Sequence, residues 1–142
     1  KKATTKQAVG ACTYLIKLNP ESVKTYNARA FNYLKLNQFN QAITDYNRAI
    51  SINPKSTEAI GNKAYAESML GNYTDAIVDY NRSLTLDPTS ATTYNYRGYT
   101  YLKLKNYKAA LDDYDKAIAI GGSNFKPDLN YREDALKGLN TK

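Results

Sequence analysis

The chain has 142 residues, of which 42% are apolar, with a net charge of +7, one cysteine and no histidine. This length allows one compact domain or an elongated stack of small units. Without histidine there is no imidazole for acid–base catalysis, nucleophile activation or metal binding. Cys12 has no second cysteine for an internal disulfide, and we interpret it as a structural thiol.

The charge is distributed unevenly along the chain. It is +3 in residues 1–22, +4 in 23–56, −3 in 57–90, +2 in 91–124 and +1 in 125–142. A nucleic-acid backbone calls for one continuous basic stripe, so this pattern argues against nucleic acid as a partner. No apolar run approaches the roughly 18 residues of a membrane span. We therefore predict no membrane span. The default location is the cytoplasm, for a sequence that can be a fragment without its targeting segment.

A period of 34 residues organises the sequence. Prolines mark it, and serines follow each of them by two positions: Pro20, Pro54 and Pro88, then Ser22, Ser56 and Ser90. Proline ends a helix, and a serine after it can accept hydrogen bonds from the first N–H groups of the next helix. The period therefore predicts a helix boundary at each of these points.

Two helices are predicted within each period. The first helices cover residues 23–36, 57–70 and 91–104, and the second helices cover 39–52, 73–86 and 107–120. Apolar residues of the second helices are spaced by three and four, as in Phe39, Ala42, Ile43 and Tyr46. Gly71 lies between two of the helices and suits the left-handed conformation that ends a helix. Each period is thus predicted to be a helical hairpin.

The two ends of the chain are predicted to be partial repeats. Residues 4–18 form one second-type helix, with Ala8, Cys12, Leu15 and Ile16 at its packing positions and an exposed outer side. At the other end we expect a linker over 121–124 and a lone first-type helix over 128–139. Its Glu133 falls where the repeats have a small residue, and an unpaired carboxylate is costly to bury. This helix is therefore predicted to be a terminal cap.

These hairpins resemble the tetratricopeptide repeat family over nearly the whole chain. The family's bulky, small, aromatic, alanine, aromatic, alanine and proline positions are occupied in the first repeat by Tyr26, Ala30, Phe39, Ala42, Tyr46, Ala49 and Pro54. The next repeat has Ile60, Ala64, Tyr73, Ala76, Tyr80, Ser83 and Pro88, and the third has Tyr94, Gly98, Tyr107, Ala110, Tyr114 and Ala117, with Gly122 in place of proline. The resemblance implies an all-α right-handed superhelix in one continuous domain, divided into 1–22, 23–56, 57–90, 91–124 and 125–142.

A basic residue precedes an aspartate by 16 positions in every repeat. The pairs are Arg29 and Asp45, Lys63 and Asp79, and Arg97 and Asp113. That spacing can bring the two side chains together across a hairpin, so we interpret them as structural salt bridges. The alternative is that the arginines turn into the groove and meet an acidic ligand.

The resemblance also implies a binding site, because first helices line the concave wall in this family. An aromatic ladder of Phe31, Tyr65 and Tyr99 would face the groove, flanked by Asn27, Asn62, Asn95 and Tyr96. Amide side chains could hold a peptide backbone while the rings take its side chains. The alternative is that these rings pack on neighbouring first helices.

The expected function is a non-catalytic interaction module that holds a protein or peptide partner in this groove, without a cofactor or metal. The clamp that family members use for acidic chaperone tails needs lysines, arginine and asparagines. Those places hold Asn27, Phe31, Asn62, Thr92 and Tyr96, of which only Asn62 matches, so chaperone-tail recognition is disfavoured. Two alternatives are a self-assembling scaffold, in which residues 4–18 dock on another copy to form a homo-oligomer, and a regulatory arm of a larger enzyme.

Overall fold

The computed structural model describes residues 1–121 and 129–141. Within those ranges it has eight α-helices and no strand, which confirms the predicted all-α class. The helices are α1 (Lys2–Leu18), α2 (Val23–Lys35), α3 (Phe39–Ile52), α4 (Thr57–Met69), α5 (Tyr73–Leu86), α6 (Ala91–Lys103), α7 (Tyr107–Gly121) and α8 (Leu129–Asn140).

The chain divides into two compact units. Unit 1 is Lys1–Gly71 and contains α1 to α4, and unit 2 is Asn72–Lys142 and contains α5 to α8. The boundary falls at the turn inside the predicted second repeat. The predicted division into 1–22, 23–56, 57–90, 91–124 and 125–142 within one continuous domain stays a prediction.

The serine after each proline caps a helix, as the sequence predicted. Each hydroxyl accepts a hydrogen bond from the backbone N–H three residues later: Thr25 to Ser22 at 3.2 Å, Ala59 to Ser56 at 3.4 Å and Thr93 to Ser90 at 3.3 Å. Such a cap satisfies one of the N–H groups that have no partner within the helix. The first helices therefore begin at the predicted residues.

The turn inside each hairpin contains one residue in the left-handed conformation. These residues are Asn37 (φ 58°), Gly71 (φ 86°) and Lys105 (φ 58°), which keep the 34-residue period. Glycine adopts this conformation without cost and asparagine tolerates it, whereas a lysine there is strained. The same left-handed backbone conformation thus recurs at all three turns, although its conformational cost differs among asparagine, glycine and lysine.

The core of unit 1 is built around α2, which packs against α1, α3 and α4. The alanines at the packing positions of α2, α3 and α4 are fully buried, and so is the large ring of Tyr46. The buried cluster contains Tyr26, Ala30, Ala42, Tyr46, Ala49 and Ala59. Small side chains let the helices approach closely, and the tyrosine ring fills the space between them.

Unit 2 repeats this arrangement with Ala110, Tyr114 and Ala135 at the centre of its α7–α8 core. Gly98 on α6 lies against Tyr114, where an added Cβ would come within 3.1 Å of the ring. A small residue is therefore required at this point of the α6–α7 hairpin.

Helix α1 has an exposed apolar outer face, as predicted. Leu15 was predicted at a packing position but is 49% exposed, although the equivalent Ala49 of α3 is fully buried. Tyr14 and Leu18 lie on the same side and are 63% and 66% exposed. The opposite face, with the half-buried Ile16, packs on the core of unit 1.

Helix α8 begins at Leu129, one residue later than predicted. Glu133 is exposed, as expected for a carboxylate on a terminal helix, while Ala135 is fully buried against Tyr114. The predicted role of α8 as a terminal cap stays a prediction. Of the predicted linker, Gly121 is the last residue of α7, and residues 122–124 lie outside the described residues.

In residues 1–121 and 129–141, no helix is both long and apolar enough to cross a membrane.

Candidate functional site

The arginines of the first and third repeats form the predicted salt bridges. Arg29 donates from Nε and Nη2 to the two carboxylate oxygens of Asp45 at 2.7 and 2.6 Å. Arg97 makes the same pair of bonds with Asp113, both at 2.7 Å. Both guanidinium groups bind an aspartate of their own hairpin, which confirms that the Arg29–Asp45 and Arg97–Asp113 pairs are structural salt bridges. Lys63 pairs with Glu67 on its own helix at 2.8 Å, and its predicted pair with Asp79 stays a prediction.

Each of these arginines also reaches the preceding helix. Arg29 Nη1 donates to the Thr13 hydroxyl of α1 at 3.1 Å, and Arg97 Nη1 donates to the Asn81 side-chain oxygen of α5 at 2.7 Å. The hydrogen bond to Asp45 raises the pKa of Arg29 above its usual value. One charged group thus holds three helices in position within each unit.

An open groove of about 540 Å³ lies between α2 and the start of α4 in unit 1. Its lining residues are Val23, Lys24, Asn27, Ala28, Phe31, Ser56 and Glu58. Two of the predicted site residues, Asn27 and Phe31, are therefore on one surface. The lining combines apolar side chains, one cation, one anion and one amide.

Asn27 is the least accessible of the groove residues, at 6% exposure. Its Nδ2 donates to Glu58 Oε2 at 3.2 Å, which fixes the orientation of the amide. Its Oδ1 is buried and has no donor. A buried acceptor without a donor costs about 1–3 kcal/mol, and in a native structure it calls for a physical explanation.

Phe31 is the exposed ring of the groove. It is 46% exposed, and Lys35 Nζ lies 4.5 Å from the ring centre. A lysine at that distance is attracted to the face of the ring. The groove therefore offers a wet aromatic surface with a positive charge beside it.

Asn62 and Tyr65 are the predicted site residues on α4, and both are half-buried. Burial raises the pKa of Tyr46 strongly and the charge on Glu58 raises it further, whereas an interaction with Asn62 lowers it. Asn62 therefore lies near the Tyr46 hydroxyl of the adjacent helix α3, although that hydroxyl has no hydrogen-bond partner among the described residues.

The predicted site residues of unit 2 are Asn95, Tyr96 and Tyr99 on α6, all half-buried. Asn95 Oδ1 is buried without a donor, as at Asn27. The Tyr99 ring packs on Tyr131 of α8, with 5.0 Å between the ring centres. The Tyr99 ring thus contacts a neighbouring first-type helix, and its predicted part in ligand binding stays a prediction.

Four site features were missed from the sequence. Lys24 and Glu58 line the groove, and Lys35 and Lys103 lie over Phe31 and Tyr99. The two lysines follow an aromatic residue by four positions on a helix, which is a signal that the spacing alone could have given.

Acidic side chains and the single thiol are the side chains of this histidine-free chain that commonly bind metals. Within the described ranges, no three of them lie together as metal ligands would.

Family profiles match most of the repeat region. The tetratricopeptide repeat profile matches residues 23–56 and 91–124, a second profile of the same description matches 45–78, and a third, described as a TPR repeat, matches 65–105. Together they extend from residue 23 to residue 124. A search of curated protein sequences gave no significant match.

Solved structures share the fold at low sequence identity. A crystal structure of MamA superposes with a TM-score of 0.78 at 22% identity, covering 98% of this chain and 81% of that one. The first TPR of Spaghetti (RPAP3) bound to the Hsp90 peptide SRMEEVD gives 0.77 at 21%, covering 83% and 93%. The TPR2B domain of yeast Sti1 in its Hsp70 complex gives 0.74 at 20%, covering 84% and 98%. The profiles, the 34-residue period and the hairpin geometry show that this chain belongs to the tetratricopeptide repeat family.

Proposed function

We propose that this chain is a non-catalytic protein-interaction module that binds an extended segment of a partner protein on the first helices of a unit. The α2–α4 groove of unit 1 is the main site. The observation that carries the proposal is the Asn27 Oδ1 atom, a buried acceptor without a donor in a residue that lines this groove. A backbone N–H of a bound peptide would satisfy it.

The neighbouring side chains fit the same ligand. Phe31, Ala28 and Val23 provide an apolar surface for a ligand side chain, and Lys24 and Glu58 provide opposite charges at the rim. The proposed contact residues are Asn27, Phe31, Asn62, Tyr65, Asn95, Tyr96 and Tyr99. The peptide complexes of the Spaghetti and Sti1 domains support a peptide as the class of ligand. Acidic chaperone tails remain disfavoured, because the clamp lysines and arginine are absent.

Selection of binding peptides from a random displayed library tests the proposal. We expect Phe31→Ala to weaken a selected peptide about tenfold, because truncation of a ring at an interface costs roughly 1.4 kcal/mol or more. Val78→Ala is the matched control, since Val78 is an apolar residue of α5 that is 62% exposed. Affinity should fall only mildly with added salt, because few charges contribute.

Two further variants extend the test to the other rings. Tyr65→Ala and Tyr99→Ala should also weaken binding of a selected peptide, each by a smaller factor because both rings are half-buried. If all three ring variants bind as tightly as the wild type, the groove proposal is wrong.

Self-association is a second candidate function, favoured by the apolar face of α1. Tyr14, Leu15 and Leu18 are between 49% and 66% exposed on this one helix, an unusual apolar patch for a solvated surface. Light scattering over a concentration series measures it. A mass that rises with concentration and returns to that of a monomer in Leu15→Glu supports this candidate, and a constant monomer mass rejects it.

A further inference from the structure

The first and third repeats each carry an asparagine, an aromatic residue and a lysine on one helix face. The two sets are Asn27, Phe31 and Lys35 on α2, and Asn95, Tyr99 and Lys103 on α6. Within each set the residues are four apart, so they lie along one side of the helix as a strip. The two strips are 68 residues apart, which is two repeat lengths.

Both strips have a buried amide oxygen without a donor. The oxygens are Asn27 Oδ1 in unit 1 and Asn95 Oδ1 in unit 2. Asn27 is 94% buried, since its exposure is 6%, and it lines the α2–α4 groove. The same unsatisfied acceptor at equivalent positions of two units points to one common donor group.

Both strips end in a lysine held over the aromatic ring. The distance from Nζ to the ring centre is 4.5 Å for Lys35 and 5.1 Å for Lys103. Among the ion pairs of the described residues, neither lysine has a carboxylate partner. Each ammonium group is positioned by the ring and has N–H donors left for an anionic ligand group.

The fold itself does not require this strip. The middle repeat has Gly61, Tyr65 and Met69 at the same three positions, so it lacks both the amide and the ammonium group while keeping the same helix length. The side chains shared by the first and third repeats are therefore not explained by hairpin packing.

The length of the strip limits the ligand that can match it. Eight helical residues rise about 12 Å, and an extended peptide covers about 3.3 Å per residue. An N–H group on the asparagine and a carboxylate on the lysine would thus be about four residues apart in the ligand, with an apolar side chain on the ring between them.

We propose that each unit binds the same recognition element, a short extended peptide with a backbone N–H at one end, an apolar side chain and an acidic side chain about four residues away. The inference rests on the proposed function and specifies its partner chemistry. It gives the chain two equivalent sites, one on α2 and one on α6.

Nuclear magnetic resonance of the 15N-labelled chain tests this directly. The probe is the acetylated and amidated pentapeptide Ala-Leu-Ala-Ala-Glu, titrated to millimolar concentration, and the control probe has Gln in place of Glu. We expect signals of both α2 and α6 to shift with similar dissociation constants. The Gln peptide should bind about fivefold more weakly at each site, because it loses an exposed ion pair.

Single variants assign the two sites. Asn27→Ala should abolish the shifts on α2 alone and Asn95→Ala those on α6 alone, whereas Asn47→Ala on the exposed side of α3 should change neither. If an asparagine variant fails to fold, the exposed lysines assign the sites instead. Lys35→Ala should weaken the shifts on α2 alone, and Lys103→Ala should weaken those on α6 alone.

The outcomes separate this inference from the proposed function. Shifts confined to one unit, or equal affinities of the Glu and Gln peptides, overturn the duplicated element and leave the groove proposal standing. An absence of shifts with both pentapeptides also overturns the inference, and the library selection then decides the groove proposal independently.

Discussion

Arg29 and Asp45 are 16 residues apart in sequence and joined by two parallel hydrogen bonds that close the α2–α3 hairpin. Asp45 is 3% exposed, so its charge is neutralised within the protein rather than by water. Arg97 and Asp113 repeat this geometry in unit 2. The pairs fix how the first and second helices of a repeat are oriented.

Asp45→Ala should therefore destabilise the protein by about 3 kcal/mol, because it leaves a largely buried guanidinium without its counter-ion. The matched control is Asp115→Ala, which breaks the exposed Arg132–Asp115 pair and should cost less than about 1 kcal/mol. Urea denaturation followed by circular dichroism measures both changes. Equal losses in the two variants would show that burial does not determine the strength of these pairs.

Lys105→Gly should stabilise the protein by about 1 kcal/mol, because Lys105 adopts a left-handed conformation that glycine takes without strain. Asn37→Gly changes the equivalent residue of unit 1, and we expect a smaller gain because asparagine tolerates this conformation. Thermal unfolding of the two variants and the wild type gives the comparison. A destabilised Lys105→Gly would indicate that the lysine side chain makes compensating contacts.

Gly138→Ala should destabilise unit 2 by about 1–3 kcal/mol, because the added Cβ would lie 2.4 Å from the Tyr107 ring, too close to accommodate without movement. Gly10→Ala is the control. Gly10 is also helical but has no atom within 4 Å of an added Cβ, so alanine there should stabilise by about 0.5–1 kcal/mol. Opposite signs in chemical denaturation are the expected result, and a stabilising Gly138→Ala would contradict the α7–α8 packing.

Tyr46→Phe should reduce the loss of stability at alkaline pH. Burial raises the folded-state pKa of Tyr46 above the usual value near 10, so the unfolded chain ionises first as pH rises. The contribution of the neutral Tyr46 phenol to the free energy of unfolding is fully present below about pH 10. Above that pH it falls by about 1.4 kcal/mol per pH unit until the folded-state pKa is reached. Denaturation between pH 9 and 11.5 should show a shallower decline in the variant, and identical slopes would argue against a buried phenol.

Most of the helical architecture could be predicted from the sequence, because its determinants are local. Proline, serine and the spacing of apolar residues act within a few positions, so the first and second helices were placed to within one residue. The exposure of Glu133 follows from the cost of burying a carboxylate, whereas the packing of Ala135 against Tyr114 could not be predicted from local signals.

The candidate site was less predictable, since helix periodicity gives the face of a residue but not its partners. Phe31 is exposed as expected, whereas Tyr99 is half-buried and contacts Tyr131. The Asn27 Nδ2 atom donates to Glu58, 31 residues later, and this bond leaves the Asn27 Oδ1 atom without a donor. The sequence alone does not indicate that Oδ1 is the atom of Asn27 without a partner.

The bond from each arginine to the helix before it limits how these repeats can be recombined. Arg29 takes its acceptor from Thr13, and Arg97 takes its acceptor from Asn81. A module excised at Pro20 or Pro88 carries the donor but leaves the acceptor behind. A chimaera joined at those prolines should therefore recover the full set of contacts only if the upstream sequence supplies a side-chain oxygen at the matching position.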